Sequence, residues 1–176
     1  MLAKARGSRY KTRLMANKSP AKKPTVKVGI LTGSPSDLDV VRKAQEVLVR
    51  LGIGSELKVL SAHRTPERVK AYVEQAKGRG IEVLIACAGM AAHLAGAVAA
   101  HTLLPVIGVP LASGALQGVD ALLATVQMPP GIPVASVGVD GAKNAAYFAA
   151  RILALHDPAL LKALEADLAD QRKRYD

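Results

Sequence analysis

The chain of 176 residues has no tryptophan, one phenylalanine and four tyrosines. Half of its residues are nevertheless hydrophobic, so the core must be packed by Ala, Val and Leu, and the length suits one domain with a sizeable interior. Cysteine is as scarce. Cys87 stands alone, which excludes an internal disulfide, and no group of Cys and His has the spacing of metal ligands, so a reducing, cytoplasmic setting without a structural metal is expected. No apolar run approaches the ~18 residues of a membrane span, and the N-terminal stretch lacks the long apolar segment of a secretory signal. Neither G-x-G-x-x-G nor a Walker lysine motif occurs, which removes a dinucleotide or a nucleoside triphosphate as the obvious ligand.

Acidic residues are missing from the first 24 positions, where Lys4, Arg6, Arg9, Lys11, Arg13, Lys18, Lys22 and Lys23 supply eight positive charges. The net charge of +10 therefore describes a tail. Beyond it, sixteen basic residues face fourteen acidic ones, a balance that does not indicate a nucleic-acid face. Residues 1–24 read as a basic disordered extension with a superficial likeness to a transit peptide, or as residues upstream of a true start at Met15. Residues 25–176 read as one domain.

From residue 26 onward, short β-branched runs at 26–32, 54–60, 81–87, 104–109 and 133–138 alternate with segments of helical period near 36–51, 65–79, 91–101, 115–126 and 141–156. In the second of these helices Val69, Tyr72, Val73 and Ala76 fall at i, i+3, i+4 and i+7 and define one buried face. Five such units, with strands apolar on both sides, imply an α/β fold in which a parallel sheet is covered on both faces. Asp157-Pro158 breaks the fifth helix and opens a sixth over 158–174, where Leu160, Leu161, Leu164 and Leu168 form an apolar stripe. That stripe packs either on its own sheet or on another subunit.

Open parallel sheets bind ligands beyond the carboxyl ends of their strands, and here those ends carry polar residues. They read Gly33-Ser34-Pro35-Ser36-Asp37, Ser61-Ala62-His63-Arg64, Ala88-Gly89-Met90-Ala91-Ala92-His93 and Pro110-Leu111-Ala112-Ser113-Gly114, and they should share one rim. In the first segment, Ser36 or Asp37 could simply cap a helix, while the same hydroxyls and helix-start N–H groups suit a phosphate and the Asp37 carboxylate suits ribose hydroxyls.

The second segment is more telling. Thr65, Pro66 and Glu67 read as an N-cap, a first-turn proline and a first-turn carboxylate, so His63 and Arg64 occupy the turn between strand and helix. A histidine titrates near pH ~6.5 and can give or take a proton, and Arg64 beside it is an anion clamp. His93, on an Ala-rich helix, reads equally as a packed core histidine or a site residue; His101 and His156 lie at helix ends, where the dipole suffices to explain them. Cys87 reads as a small core residue. The proline-rich run 127–133 is a stiff connection or a pocket wall.

The motifs GSPSD (33–37), SAHRTP (61–66), AGMAAHLAG (88–96), PVIGVP (105–110), GVDALLATVQMPPGIPVASV (118–137) and GAKNAA (141–146), in this order, give the chain a close resemblance from about residue 26 to 158 to the catalytic-subunit family of phosphoribosylaminoimidazole carboxylase, in its N5-carboxyaminoimidazole ribonucleotide mutase class. The resemblance implies a flavodoxin-like three-layer αβα sandwich with a five-stranded parallel sheet. It also implies a homo-octamer with the last helix packed on a neighbour. The implied activity is the interconversion of N5-carboxyaminoimidazole ribonucleotide and 4-carboxy-5-aminoimidazole ribonucleotide in de novo purine biosynthesis, without metal, ATP or organic cofactor. His63 would move the proton at the carboxylated carbon, Ser34, Asp37 and Arg64 would hold the ribonucleotide, and Ser61, Gly89 and His93 would complete the pocket.

Two other readings stand beside this one. A direct carboxylase class takes free CO2 and aminoimidazole ribonucleotide but carries a lysine after the histidine, where this chain has Arg64; a non-catalytic nucleotide-binding paralog would have no need of His63. The chain also departs from the family pattern: Met90 replaces the second of two glycines, Ala95 a proline and Ala121 a serine.

Overall fold

A computed structural model describes residues 25–175; the basic segment 1–24 lies outside the described residues. Five strands, β1 (Val26–Thr32), β2 (Gly54–Val59), β3 (Val83–Gly89), β4 (Val106–Leu111) and β5 (Ala135–Ser136), form one sheet in the order β2-β1-β3-β4-β5. Every neighbouring pair is parallel. Six helices connect or follow them: α1 (Leu38–Arg50), α2 (Pro66–Ala76), α3 (Leu94–Ala99), α4 (Val119–Val126), α5 (Ala142–Ala154) and α6 (Pro158–Arg172). This is the flavodoxin-like strand order, in which the chain reverses direction across the sheet between β1 and β3.

Alternation along each strand builds two cores. Val28, Ile30, Val83, Ile85, Ile107 and Val109 face α1 and α5, while Leu31, Leu84, Ala86 and Val106 face α2 and α3. On α5, Ala142, Ala145, Ala146, Ala149 and Ala150 are all buried, and their small side chains fill the interior in the way the aromatic-poor composition requires. Close approach also fixes two strand glycines. A methyl on Gly29 would lie 2.6 Å from the Tyr72 hydroxyl, and one on Gly108 would lie 2.3 Å from Thr125 Cγ2.

Five elements differ most from the sequence expectation. β3 begins at Val83 rather than 81, because Gly80 turns through a left-handed φ of 89° and Ile81 N still bonds Ala76 O. β4 begins at Val106 rather than 104 and continues through Pro110 to Leu111, a position that needs no donor since β5 has already ended and the Pro110 carbonyl accepts from Asp140 N. β5 shrinks from six residues to two at the sheet edge, where Pro133 has no N–H to give. α3 spans six residues instead of eleven, since Ala92 N and His93 N are taken by Met90 O and Ala91 O in tight turns, and α4 starts at Val119 instead of 115, because left-handed backbone at Gln117 (φ 48°) and Gly118 (φ 89°) forbids an earlier helical turn.

The last helix covers its own chain along one side only. Asp157 caps it, its carboxylate accepting from Ala159 N and Leu160 N at 3.0 Å. Leu160 is buried and Leu164 packs against the α1–α5 core. Asp167 accepts from Tyr147 (2.7 Å), Gln171 (2.6 Å) and Arg50 Nε (2.9 Å). Leu161 and Leu168 remain exposed.

Candidate active site

The rim residues are held by short-range bonds that follow from their order in the chain. β1 ends in Thr32, wholly buried, whose hydroxyl donates to Asp37 Oδ2 at 3.0 Å. Ser34 is extended and caps a 3-10 turn over Pro35–Asp37, accepting from Ser36 N at 3.3 Å and from the Ser36 hydroxyl at 2.8 Å. The capping expectation for Ser36 and Asp37 is thus corrected. Asp37 occupies the N-cap position of α1 without a capping bond, its carboxylate being taken by Thr32 and by the Ser36 hydroxyl at 3.2 Å.

After β2, the segment Ser61–Thr65 closes on itself. Thr65 N donates to Ser61 O at 2.8 Å, and the Thr65 hydroxyl accepts from Ser61 N and donates to Ser61 O, both at 3.1 Å. Thr65 therefore precedes α2 as expected but makes no side-chain cap; it staples the turn that presents His63 and Arg64. Ser61 Oγ accepts from Arg64 N at 3.2 Å and from Arg64 Nε at 3.3 Å. Arg64 Nη2 reaches across to the Gly33 carbonyl, which ties the exit of β2 to that of β1 and leaves the guanidinium on the rim.

β3 runs out at Gly89, where an added methyl would lie 2.4 Å from Ser113 Oγ and 3.2 Å from Leu111 O, so glycine lets the exits of β3 and β4 touch. Met90 then turns through its left-handed φ. His93 follows immediately before α3 and is exposed, not packed in the core. Its Nδ1 lies 2.9 Å from His63 Nε2, with the rings edge to face. That contact has a chemical consequence. When His63 Nε2 donates, its other ring nitrogen carries a lone pair; when Nε2 accepts, that nitrogen carries the proton. A proton taken up at the other ring nitrogen of His63 can thus be matched by one passed from Nε2 to His93 Nδ1, which leaves His63 neutral in the opposite tautomer.

Together these segments enclose a cavity of about 300 Å³. Ser34, Asp37, Ser61, His63, Arg64 and Gly89 all line it, with Ala88, Met90, Ala91 and Leu94 as an apolar wall. From the loop after β4, Ser113 contributes. His93 lines a neighbouring cleft of about 590 Å³ between α3 and α4, with Gln127 and Met128 from the proline-rich connection, and meets the cavity through His63. Cys87 is buried, and burial first, with the Asp37 charge second, pushes its thiol well above the usual range, which leaves no thiolate nucleophile. Among the described residues no group of three or more His, Cys, Asp and Glu is placed to hold a metal ion. Sequence reasoning missed Thr32; the available signal was a lone hydroxyl at the end of an apolar strand, directly before Gly33.

Enzymes of the doubly wound α/β class keep their chemistry at this switch point, and the chain has that architecture, with an imidazole pair beside a rim of hydroxyl, carboxylate and guanidinium groups. It belongs to the AIR carboxylase family, whose family model matches residues 27–174. The N5-carboxyaminoimidazole ribonucleotide mutase of Pyrococcus abyssi is 55% identical over 147 residues, 84% of this chain and 84% of that protein. The protein of the same name from Thermotoga maritima is 50% identical over 139 residues, 79% and 81% of the two chains. Among solved structures, PurE of Treponema denticola superposes with a TM-score of 0.77 at 30% identity, covering 84% of this chain and 92% of that one.

Proposed function

We propose that His63, paired with His93, is the general acid/base of this enzyme and that Ser34, Asp37 and Arg64 hold its ribonucleotide substrate. The chain is a mutase, an isomerase of purine biosynthesis that interconverts N5-carboxyaminoimidazole ribonucleotide and 4-carboxy-5-aminoimidazole ribonucleotide. The isomerisation moves a carboxyl from nitrogen to carbon. The carbamate N–C bond breaks as the nitrogen takes up a proton from protonated His63, giving CO2 and the amine; the imidazole carbon then attacks that CO2, and the proton on the same carbon must leave. His63 takes it, and returns it in the reverse direction. Atoms balance with no co-reactant.

The observation that carries this reading is the 2.9 Å imidazole pair on a rim that also presents a hydroxyl, a carboxylate and a guanidinium. Arg64 suits the phosphate, and the carboxylate of Asp37, fixed by Thr32, suits the ribose hydroxyls. Ser61 positions Arg64, Gly89 admits the β4 loop, and His93 acts through His63. Arg64, in place of lysine, favours the mutase over direct carboxylation. The test is ultraviolet monitoring of N5-carboxyaminoimidazole ribonucleotide turnover with and without added bicarbonate. A rate independent of bicarbonate is expected; proportionality to bicarbonate would favour the direct carboxylase instead.

In this reading residues 25–176 are the catalytic domain, since the family match begins at residue 27, and the enzyme works in the cytoplasm as a homo-octamer. Copies of the chain would cover Val119, Leu123 and Val126, an exposed apolar face at i, i+4 and i+7 on α4, together with Leu161 and Leu168 on α6. A buried oxygen of Asp120, which has no hydrogen-bond partner among the described residues, lies on that same α4 helix. No described helix is long and apolar enough to cross a membrane.

A further inference from the structure

We propose that Asp140 is a positioning residue: its carboxylate pins the neck of the loop after β4 and so holds the Ser113 hydroxyl in the cavity wall, facing the ribonucleotide. This rests on the mutase reading above and adds to it a residue role.

Ser113 is what the loop after β4 brings to the cavity. With the phosphate and ribose given to Ser34, Asp37 and Arg64, the part of the substrate left for the β4 side is the aminoimidazole, whose amino and carboxyl groups can each bond a hydroxyl. A methyl on Gly89 would lie 2.4 Å from Ser113 Oγ, so that hydroxyl stands directly against the exit of β3. It can serve a substrate only if its backbone is fixed, and β4 has already ended at Leu111.

The fixing group comes from beyond β5. That strand lasts two residues, yet the rungs of a parallel ladder continue past its end: Val137 N bonds Gly108 O at 3.1 Å and Asp140 N bonds Pro110 O at 2.9 Å. In such a ladder a residue also takes, on its own carbonyl, the N–H two positions further along the neighbouring strand. For Asp140 that donor is Ala112 N. The backbone of Asp140 is left-handed, however, at φ 56°, and its carbonyl accepts from Ala142 N at 2.9 Å. The carboxylate takes the rung instead, Oδ1 accepting from Ala112 N at 3.0 Å. Aspartate and asparagine combine tolerance of left-handed backbone with a side chain short enough to bond beside itself.

Ala112 is also where the loop closes. A methyl on Gly118 would lie 3.1 Å from Ala112 Cα and 2.7 Å from Val139 Cγ1, beside Asp140 in the chain. Residues 112–118 thus leave and return at one point, as in a compact Ω-loop, and Gln117 Nε2 donates to Gly114 O at 2.7 Å within it. A loop of this kind moves about its neck. Asp140 holds the neck immediately before Ser113, and its bond lies at the surface, so its loss should loosen the loop without unfolding the domain.

The test is a double-variant comparison by ultraviolet turnover of N5-carboxyaminoimidazole ribonucleotide. Asp140→Gly suits the left-handed backbone but deletes the acceptor; kcat/KM should fall by roughly 3-fold to 10-fold, the worth of one hydrogen bond, with the circular dichroism spectrum unchanged. Asp140→Asn keeps an acceptor oxygen and should restore the rate. Ser113→Ala should lose at least as much, and adding Asp140→Gly to it should change little further, because Asp140 acts through Ser113. Wild-type constants in Asp140→Gly or in Ser113→Ala overturn the proposal, and so does an equal loss from Asp140→Gly with and without the Ser113 hydroxyl. If Asp140→Gly does not fold, Ser113→Ala decides: a fall in kcat/KM supports the proposal and wild-type constants overturn it. A wild-type rate proportional to bicarbonate overturns the mutase reading alone, and the same comparison with aminoimidazole ribonucleotide and bicarbonate as substrates then decides the role of Asp140.

Discussion

Replacing Gly89 by alanine puts a single methyl at the junction between the exits of β3 and β4. The new carbon would stand 2.4 Å from Ser113 Oγ, 3.2 Å from Leu111 O and 3.4 Å from Ser113 Cβ. The hydroxyl can rotate away. The carbonyl belongs to β4, paired with Gly89 itself, and cannot, so the Ser113–Gly114 loop must shift by a few tenths of an ångström. Overpacking costs about 1–3 kcal/mol, and because the shortest contact is to a rotatable atom the lower end applies, about 1 kcal/mol or a fall of roughly 2–4 °C in Tm for a chain of this size. Activity should suffer more, since displacement of a site wall by up to ~1 Å costs about 10²-fold; a fall in kcat/KM of about 10-fold to 10²-fold is expected. Ser113→Gly removes two of the three contacts. The double variant Gly89→Ala with Ser113→Gly should therefore regain the part of the loss that comes from Ser113, the 3.2 Å contact with the Leu111 carbonyl remaining, measured against Ser113→Gly alone by ultraviolet turnover and by thermal melts followed by circular dichroism. Full activity in Gly89→Ala, or a double variant as impaired as the single, would refute the close-approach explanation of this glycine.

Arg64→Ala and Asp37→Ala should each raise KM, by 10-fold or more on the order of one lost charged contact, while leaving the far-ultraviolet spectrum unchanged; a KM unaffected in both would put the ribonucleotide elsewhere. The Cys87 thiol, buried and raised well above its ordinary range, should resist iodoacetamide in the native protein and react only on unfolding, which mass spectrometry can count. Asp167 is held below the usual carboxylate range first by the Tyr147 hydrogen bond, with Gln171 and Arg50 adding to it and burial opposing. A depressed folded value means that its contribution is present above the unfolded value of ~3.9 and is lost as pH falls through the folded one. Asp167→Asn should therefore lower stability at neutral pH and flatten its decline below pH ~4; an unchanged acid limb would show that the α6 anchor carries no such linkage.

The fold was legible because each βα unit announces itself by apolar runs and helical period: β1 is Val26–Thr32 as read, and α2 buries Val69, Val73 and Ala76 on the expected face. What escaped the sequence was local backbone handedness. Nothing in Met90 or Gln117 signals a positive φ, yet Gln117, with Gly118, sets where α4 begins. At the site, the strand-exit residues were found because open parallel sheets gather ligands there, and Ser34, Asp37, Ser61, His63, Arg64 and Gly89 do line one cavity. Contacts between segments distant in the chain were not legible. His63 and His93 are thirty residues apart and meet only because β1 places the exits of β2 and β3 on one rim. Thr65, read as a cap, instead bonds Ser61, since a threonine hydroxyl has local backbone partners on both sides.

The central claim is that His63 moves the proton at the imidazole carbon, and His63→Asn tests it most directly. Asparagine keeps a polar side chain of similar reach but cannot exchange a proton near neutral pH. Turnover of N5-carboxyaminoimidazole ribonucleotide should fall by at least the ~10²–10⁴-fold that a general acid/base supplies, while calorimetric binding of the carboxylated product stays within a few-fold of wild type. Near-normal turnover in His63→Asn, with the protein folded and binding intact, would contradict the assignment and move the proton to another group on the rim.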